Sequence, residues 1–328
     1  MRAWQVHELG DPKSALNLVE APEPHPGPDE VVVEVEAAAL NFFDILLCKG
    51  EYQEKPDLPF TPGAEVSGTI TQAGEGVDLQ PGQRVIATPP LPNGGLAGKV
   101  VAPTSGVFPI PDSMPFEKAA AMHIVYQTAH FALHRRAALR EGETVLVHAG
   151  AGGVGSAAIQ LAKAAGATVI ATAGGPDKVG ICRDLGADVT VDYREDNFIE
   201  VVKEATEGRG ADVIFDPVGG DVFDGSRRCV AFEGRIVVIG FAGGRIAEAP
   251  TNHLLVKNYS VVGLHWGLYA KVMPHLIPET HQELMRLYEA GQIDPLIYET
   301  VSFEEVPEAL ELLGSRKTYG KLVTRPGG

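Results

Sequence analysis

The run His148-Ala149-Gly150-Ala151-Gly152-Gly153-Val154-Gly155 constrains this chain more than any other stretch, because it sets a glycine-rich turn between an apolar strand and a helix. Thr144-Val145-Leu146-Val147 before it reads as a short buried parallel strand, and Gly150, Gly152 and Gly155 fit G-x-G-x-x-G. In that motif one glycine makes the tight turn, one lets the backbone approach a pyrophosphate, and one lets the helix lie close to the sheet. Val154, Ala158, Leu161 and Ala165 then recur at helical spacing, so the helix aims its first N–H groups, including those of Gly153 and Val154, at phosphate. With a second strand at Ala167 to Thr172, the expected unit is a dinucleotide-binding β-α-β fold.

The end of that second strand bears on which dinucleotide binds. An NAD-specific unit places Asp or Glu there to hold the adenine-ribose hydroxyls. Here the strand runs into Thr172-Ala173-Gly174-Gly175-Pro176-Asp177-Lys178, with no carboxylate at its tip. Glycines such as Gly174 leave room for a 2′-phosphate and Lys178 offers a point charge, although Lys178 also reads as a solvated first-turn residue.

Strand candidates at Thr144–Val147, Thr168–Thr172, Val189–Asp192, Val213–Asp216, Arg235–Ile239 and Ser260–Gly263 alternate with helical patterns, as in a doubly wound parallel sheet. Before them, residues 1 to about 122 are rich in Pro, Gly and β-branched residues and read as an irregular all-β domain. A helical stretch from Ala119 to Leu139 leads into the second domain. Helical patterns at about 270–290 and 304–314, then the short strand Lys321-Leu322-Val323, are expected to return to the first domain. The expected division is therefore 1–122 plus 266–328, with 123–265 inserted between them, and 328 residues suit two cores, since one core rarely outgrows about 250–300 residues. An excess of 43 acidic over 27 basic residues disfavours nucleic acid and anionic membrane as partners. Cys48, Cys182 and Cys229 are far apart, which speaks against a disulfide framework and for a reducing, cytoplasmic setting. No stretch reads as a signal peptide or as an apolar run of membrane-spanning length.

Ala39-Leu40-Asn41-Phe42-Phe43-Asp44, Pro59-Phe60-Thr61-Pro62-Gly63-Ala64-Glu65, the glycine motif, Val238-Ile239-Gly240-Phe241-Ala242-Gly243-Gly244 and Lys257-Asn258-Tyr259-Ser260-Val261-Val262-Gly263 together carry a resemblance over essentially the whole chain. The chain resembles the medium-chain dehydrogenase/reductase superfamily and, within it, the zinc-free quinone oxidoreductases related to zeta-crystallin. The resemblance implies a six-stranded Rossmann sheet inserted in a GroES-like, mostly-β catalytic domain. It implies an active site in the cleft between the two and NADPH as cofactor, with Lys178, Tyr193 and Arg316 around the 2′-phosphate. Thr128, Phe241 and Ala242 fall where relatives border the nicotinamide.

Zinc-dependent members hold a catalytic metal with Cys and His ligands. Their Cys position matches Asn41, their Gly-His-Glu reads Gly63-Ala64-Glu65, and no metal is expected here. Without a Lewis acid the chemistry narrows to acceptors that spread incoming charge, namely quinones and conjugated enones, with Asn41 and Tyr52 as polar groups of the pocket. An enoyl-thioester reductase and a non-catalytic, crystallin-like NADPH binder are the alternatives. The apolar run Tyr259 to Leu264 is expected to end the sheet and to pair with a second copy across a two-fold axis, giving a homodimer.

Overall fold

The computed structural model describes residues 1–327 and divides into two compact units, Met1–Ile124 with Pro295–Gly328, and Val125–Asp294. In the first unit, a seven-stranded sheet runs in the order Ile297–Ser302, Lys321–Arg325, Glu30–Leu40, Val66–Ala73, Arg84–Ala87 and Val107–Pro109, with Lys99–Pro103 also paired to Glu30–Leu40. Val31, Val32 and Val33 are all fully buried, so this central strand is covered on both faces, and the β-branched residues favour the extended backbone. The strand Lys321–Arg325 lies antiparallel to it, Leu322 opposite Leu40 and Val323 opposite Ala39. One further step along that register carries Lys321 opposite Asn41.

The second unit is a six-stranded, wholly parallel sheet ordered Val189–Asp192, Thr168–Ala173, Thr144–Val147, Ala211–Asp216, Val230–Val238, Ser260–Gly263. Chain order reverses beside Thr144–Val147, and ligands of such sheets bind at the carboxyl ends of the strands near that point. Val145, Leu146, Val147, Ile214 and Phe215 are fully buried, as strands covered on both faces by helices require.

Two expectations need correction. The chain does not leave the second unit at residue 266: the helices Trp266–Val272 and Leu276–Glu289 stay with it, and the crossing falls at Pro295. The ring of Tyr269 packs on that of Phe131, centroids 4.7 Å apart, Gln127 donates to the Ile277 carbonyl, and Gln160 bonds both the carbonyl and the N–H of Asp294. A helical period reports that a segment buries one face, not which core buries it. The helical stretch expected over Ala119–Leu139 begins earlier, ends earlier and is broken into three pieces, Phe116–Ala120, His123–His130 and a wider-wound π-helical turn, Phe131–Arg136.

Candidate functional site

The helix Gly153–Ala164 begins directly after the glycine turn, so the N–H groups of Gly153, Val154 and Gly155 have no acceptor within the helix. A side chain on Gly155 would put its Cβ 2.2 Å from the Ala149 carbonyl oxygen, and one on Gly150 would meet Cys182, Ala171 and Ile159 at 2.9–3.1 Å. Both positions therefore need glycine. Ala149 itself sits at φ +51°, a strained value for a residue with a Cβ. Beneath the turn, buried His148 bridges two hydroxyls, its Nε2 2.8 Å from Ser226 Oγ and its Nδ1 3.1 Å from Thr172 Oγ1. Burial pushes the His148 pKa down to about 3, so the ring is neutral and can donate through one nitrogen while accepting at the other. The sequence motif gives no sign of this network, because its partners stand 24 and 78 residues away.

At the tip of the neighbouring strand the structure brings together Gly174, Lys178, Tyr193 and a residue the sequence reading passed over, Arg194. A Cβ on Gly174 would lie 2.5 Å from the Tyr193 hydroxyl and 3.1 Å from Arg194 Nε. Lys178 stands in the first turn of the helix Pro176–Asp184, its pKa lowered first by burial and then by the positive charge of Arg194. Tyr193 is 56% exposed. Arg316 belongs to the first unit, where it is exposed at φ +60° just after the helix Val306–Gly314. Phe241 is 42% exposed in the loop after Val230–Val238. That loop is laced to the one after Ala211–Asp216: Ala242 N–H donates to the Pro217 carbonyl and Gly243 N–H to that of Val218. Thr128 is half-buried in the helix His123–His130.

In the first unit, Asn41 ends the strand Glu30–Leu40 and precedes the helix Phe42–Lys49. Its Oδ1 accepts from Lys321 Nζ at 2.5 Å, and its Nδ2 donates to Glu65 Oε1 at 3.0 Å and, at a long 3.4 Å, to the Ala39 carbonyl. Lys321 also pairs with Glu65 Oε1 at 2.9 Å, while Glu65 Oε2 accepts from the Ile124 N–H. Asp44, wholly buried, takes the N–H groups of Asn41 and Gly63, and desolvation pushes its pKa up to about 7. Sequence reasoning placed Asn41 here but missed Lys321, which it read only as a strand residue. The available signal was a lysine inside an apolar strand, a residue type almost never buried unless paired. Tyr52 is half-buried with its ring tilted against Phe43, centroids 5.5 Å apart, and His123 is buried against Phe108. Among the described residues no group of three or more His, Cys, Asp or Glu side chains is placed to hold a metal ion.

Comparison with known proteins gives the family. Residues 27–112 match the model of the alcohol dehydrogenase GroES-like domain, and residues 153–289 that of the zinc-binding dehydrogenases. The chain is 40% identical over 330 residues to a quinone oxidoreductase-like protein 2 homolog of Nematostella vectensis, covering 98% of this chain and 88% of the relative. It is 30% identical over 329 residues to the quinone oxidoreductase of Rattus norvegicus, covering 98% and 97%. The crystal structure of Escherichia coli quinone oxidoreductase complexed with NADPH superposes with a TM-score of 0.91 at 29% identity, covering 99% of this chain and all of that one. The protein belongs to the medium-chain dehydrogenase/reductase superfamily and, within it, to the zinc-free quinone oxidoreductase family.

Proposed function

We propose that this oxidoreductase reduces quinones and related conjugated carbonyl compounds with NADPH and without a metal. The observation that carries the reading is the pair of polar clusters: Tyr193 and Arg194 against Gly174 with Lys178 near Arg194, and Asn41 held by Lys321 and Glu65 where the family resemblance puts a metal ligand in zinc-dependent members. NADPH, when bound, supplies a hydride from its nicotinamide ring. Gly150, Gly152, Gly153, Val154 and Gly155 would hold its pyrophosphate: the N–H groups of Gly153, Val154 and Gly155 are open to an anion, while Gly150 and Gly152, whose N–H groups donate to the Thr172 and Ala149 carbonyls, would shape the turn around it. Gly174, Lys178, Tyr193 and Arg316 would hold the 2′-phosphate, and Thr128, Phe241 and Ala242 would border the nicotinamide.

Asn41 and Tyr52 are the residues we assign to the acceptor. Of the Asn41 hydrogen bonds, the 3.4 Å contact to Ala39 is the weakest, so, with Lys321 and Glu65 holding the amide plane, that N–H is the one an acceptor oxygen would share. Asn41→Ala should lower turnover about ten- to hundredfold, somewhat less than loss of a dedicated oxyanion-hole donor. The exposed strand Ser260–Gly263 is the edge of its sheet, and we propose that two copies pair there as a homodimer in the cytoplasm. Light scattering giving a monomer at micromolar concentration would remove that assembly.

The test is NADPH oxidation against a panel of benzoquinones, naphthoquinones, enones and enoyl thioesters, with simple alcohols and NADP⁺ run in reverse and metal content measured alongside. Quinones or enones should react fastest, with no stoichiometric zinc. Faster alcohol oxidation, or activity lost on chelation, overturns the reading. Reaction of enoyl thioesters alone reassigns the substrate, and NADPH binding without any turnover makes the chain a binder.

A further inference from the structure

The turn that follows Val189–Asp192 is built to present an arginine. Tyr193 N–H donates to the Ala173 carbonyl, which holds this turn beside the tip of Thr168–Ala173. Asp192 then accepts at one oxygen, Oδ1, from the N–H groups of both Gly175 and Arg194, each at 3.0 Å. One carboxylate thus fixes the two facing turns. The guanidinium of Arg194 lies across the backbone of both glycines, since a Cβ on Gly175 would stand 3.0 Å from its Nη1 and one on Gly174 3.1 Å from its Nε.

Arg194 forms no ion pair among the described residues, and Lys178 is close enough for the two positive charges to act on each other. Two cations and a tyrosine hydroxyl therefore converge on a glycine-lined tip, and the carboxylate at hand is tied to backbone donors. A compact dianion relieves that arrangement. The planar guanidinium can grip phosphate oxygens with two parallel N–H bonds, whereas Lys178 acts as a point charge.

We infer that Arg194 is a specificity-determining residue that grips the phosphate monoester on the adenine ribose, and that Asp192 serves it by positioning the turn. The inference rests on the NADPH reading above and adds to it a residue and a geometry. Calorimetry with adenosine 2′,5′-bisphosphate and adenosine 5′-monophosphate tests it without turnover. The parent protein should prefer the bisphosphate. Arg194→Ala should weaken the bisphosphate about 10- to 100-fold, as expected for loss of a charge-assisted contact, and leave the monophosphate within about twofold. Arg194→Lys should fall between them, since it keeps the charge and loses the fork.

An Arg194→Ala variant that binds the bisphosphate as the parent does overturns the assignment. Equal weakening of both nucleotides also overturns it, because the arginine would then serve the adenosine rather than the phosphate. A parent protein with no preference for the bisphosphate points elsewhere, to failure of the NADPH reading itself.

Discussion

Lys321 and Arg194 are both cations fixed by their neighbours, and the surroundings of the two could hardly differ more. Lys321 lies 4% exposed in the first unit, bonded to Glu65 and Asn41, with its charge matched inside the protein. Arg194 is exposed in the second unit, next to another cation and in no ion pair among the described residues, with the Asp192 carboxylate near enough to feel its charge but bonded to backbone N–H groups. A buried charge must be compensated where it stands, because desolvation costs more than any single contact returns. A charge left uncompensated at the surface is affordable, and it is useful when an anionic ligand supplies the missing partner. The first cluster is thus finished by folding, and the second, on the reading proposed above, by binding.

The contrast is sharpest in what each cluster costs when broken. Lys321→Met leaves the buried Glu65 carboxyl without its cation and with only its Asn41 and Ile124 partners, a loss of about 3–5 kcal/mol for one half of a buried pair. Chemical denaturation of the variant should show that loss in the transition of the first unit, and the double change Lys321→Met with Glu65→Leu should recover much of it. A single variant within about 0.5 kcal/mol of the parent, in the range of ordinary surface changes, would break the comparison.

Acid should act on the two units in opposite directions. Asp44 in the first unit holds its proton up to about pH 7, whereas unfolded it would release it near its ordinary value of 3.8. Between those values the folded state binds the extra proton, so this contribution is full at low pH and is lost as pH rises toward 7. His148 in the second unit has its pKa pushed down to about 3 from 6.5, so the unfolded state binds the extra proton and stability is lost as pH falls below 6.5. Each one-proton difference changes stability by at most about 1.4 kcal/mol per pH unit. Thermal unfolding at pH 5 and 7.5 checks this: the gap between parent and Asp44→Asn should close as pH rises, and that between parent and His148→Gln should widen. Gaps that move together would show that other groups dominate.

The same contrast explains what the sequence discloses. Glycine spacing and short apolar strands announced the parallel sheet because both are local patterns, repeated every few residues. Gly174 and Lys178 were visible for the same reason, lying within a few residues of the strand that carries them. Lys321 and Asn41 stand 280 residues apart and meet only through the pairing of Lys321–Arg325 with Glu30–Leu40, so no spacing rule reaches them. Arg194 was adjacent to a residue already singled out, yet its direction depends on Asp192 and Gly175, that is, on the pairing of two strands. The boundary at Pro295 escaped for a related reason, since the contacts that tie the two helices before it to the second unit, the amide bonds of Gln127 and Gln160 and the ring pair Phe131–Tyr269, are all long-range.

The smallest effect tests the surface cluster from the backbone side. Gly174→Ala sets a Cβ 2.5 Å from the Tyr193 hydroxyl, but that ring is 56% exposed and can swing outward. No left-handed backbone is imposed at Gly174, so the alanine also stiffens the unfolded chain and offsets part of the clash, a gain of about 0.4–1 kcal/mol at compatible sites. Stability should therefore change by less than about 0.5 kcal/mol, in the range of surface substitutions. Affinity should change more, because the displaced hydroxyl and guanidinium no longer converge: the bisphosphate should bind several-fold more weakly, with the monophosphate little affected, a drop of about 1 kcal/mol for one perturbed hydrogen bond. A melting temperature lowered as far as in Lys321→Met would mean that the phosphate end is packed as tightly as the buried pair, and the division between a cluster completed by folding and one completed by ligand would not hold.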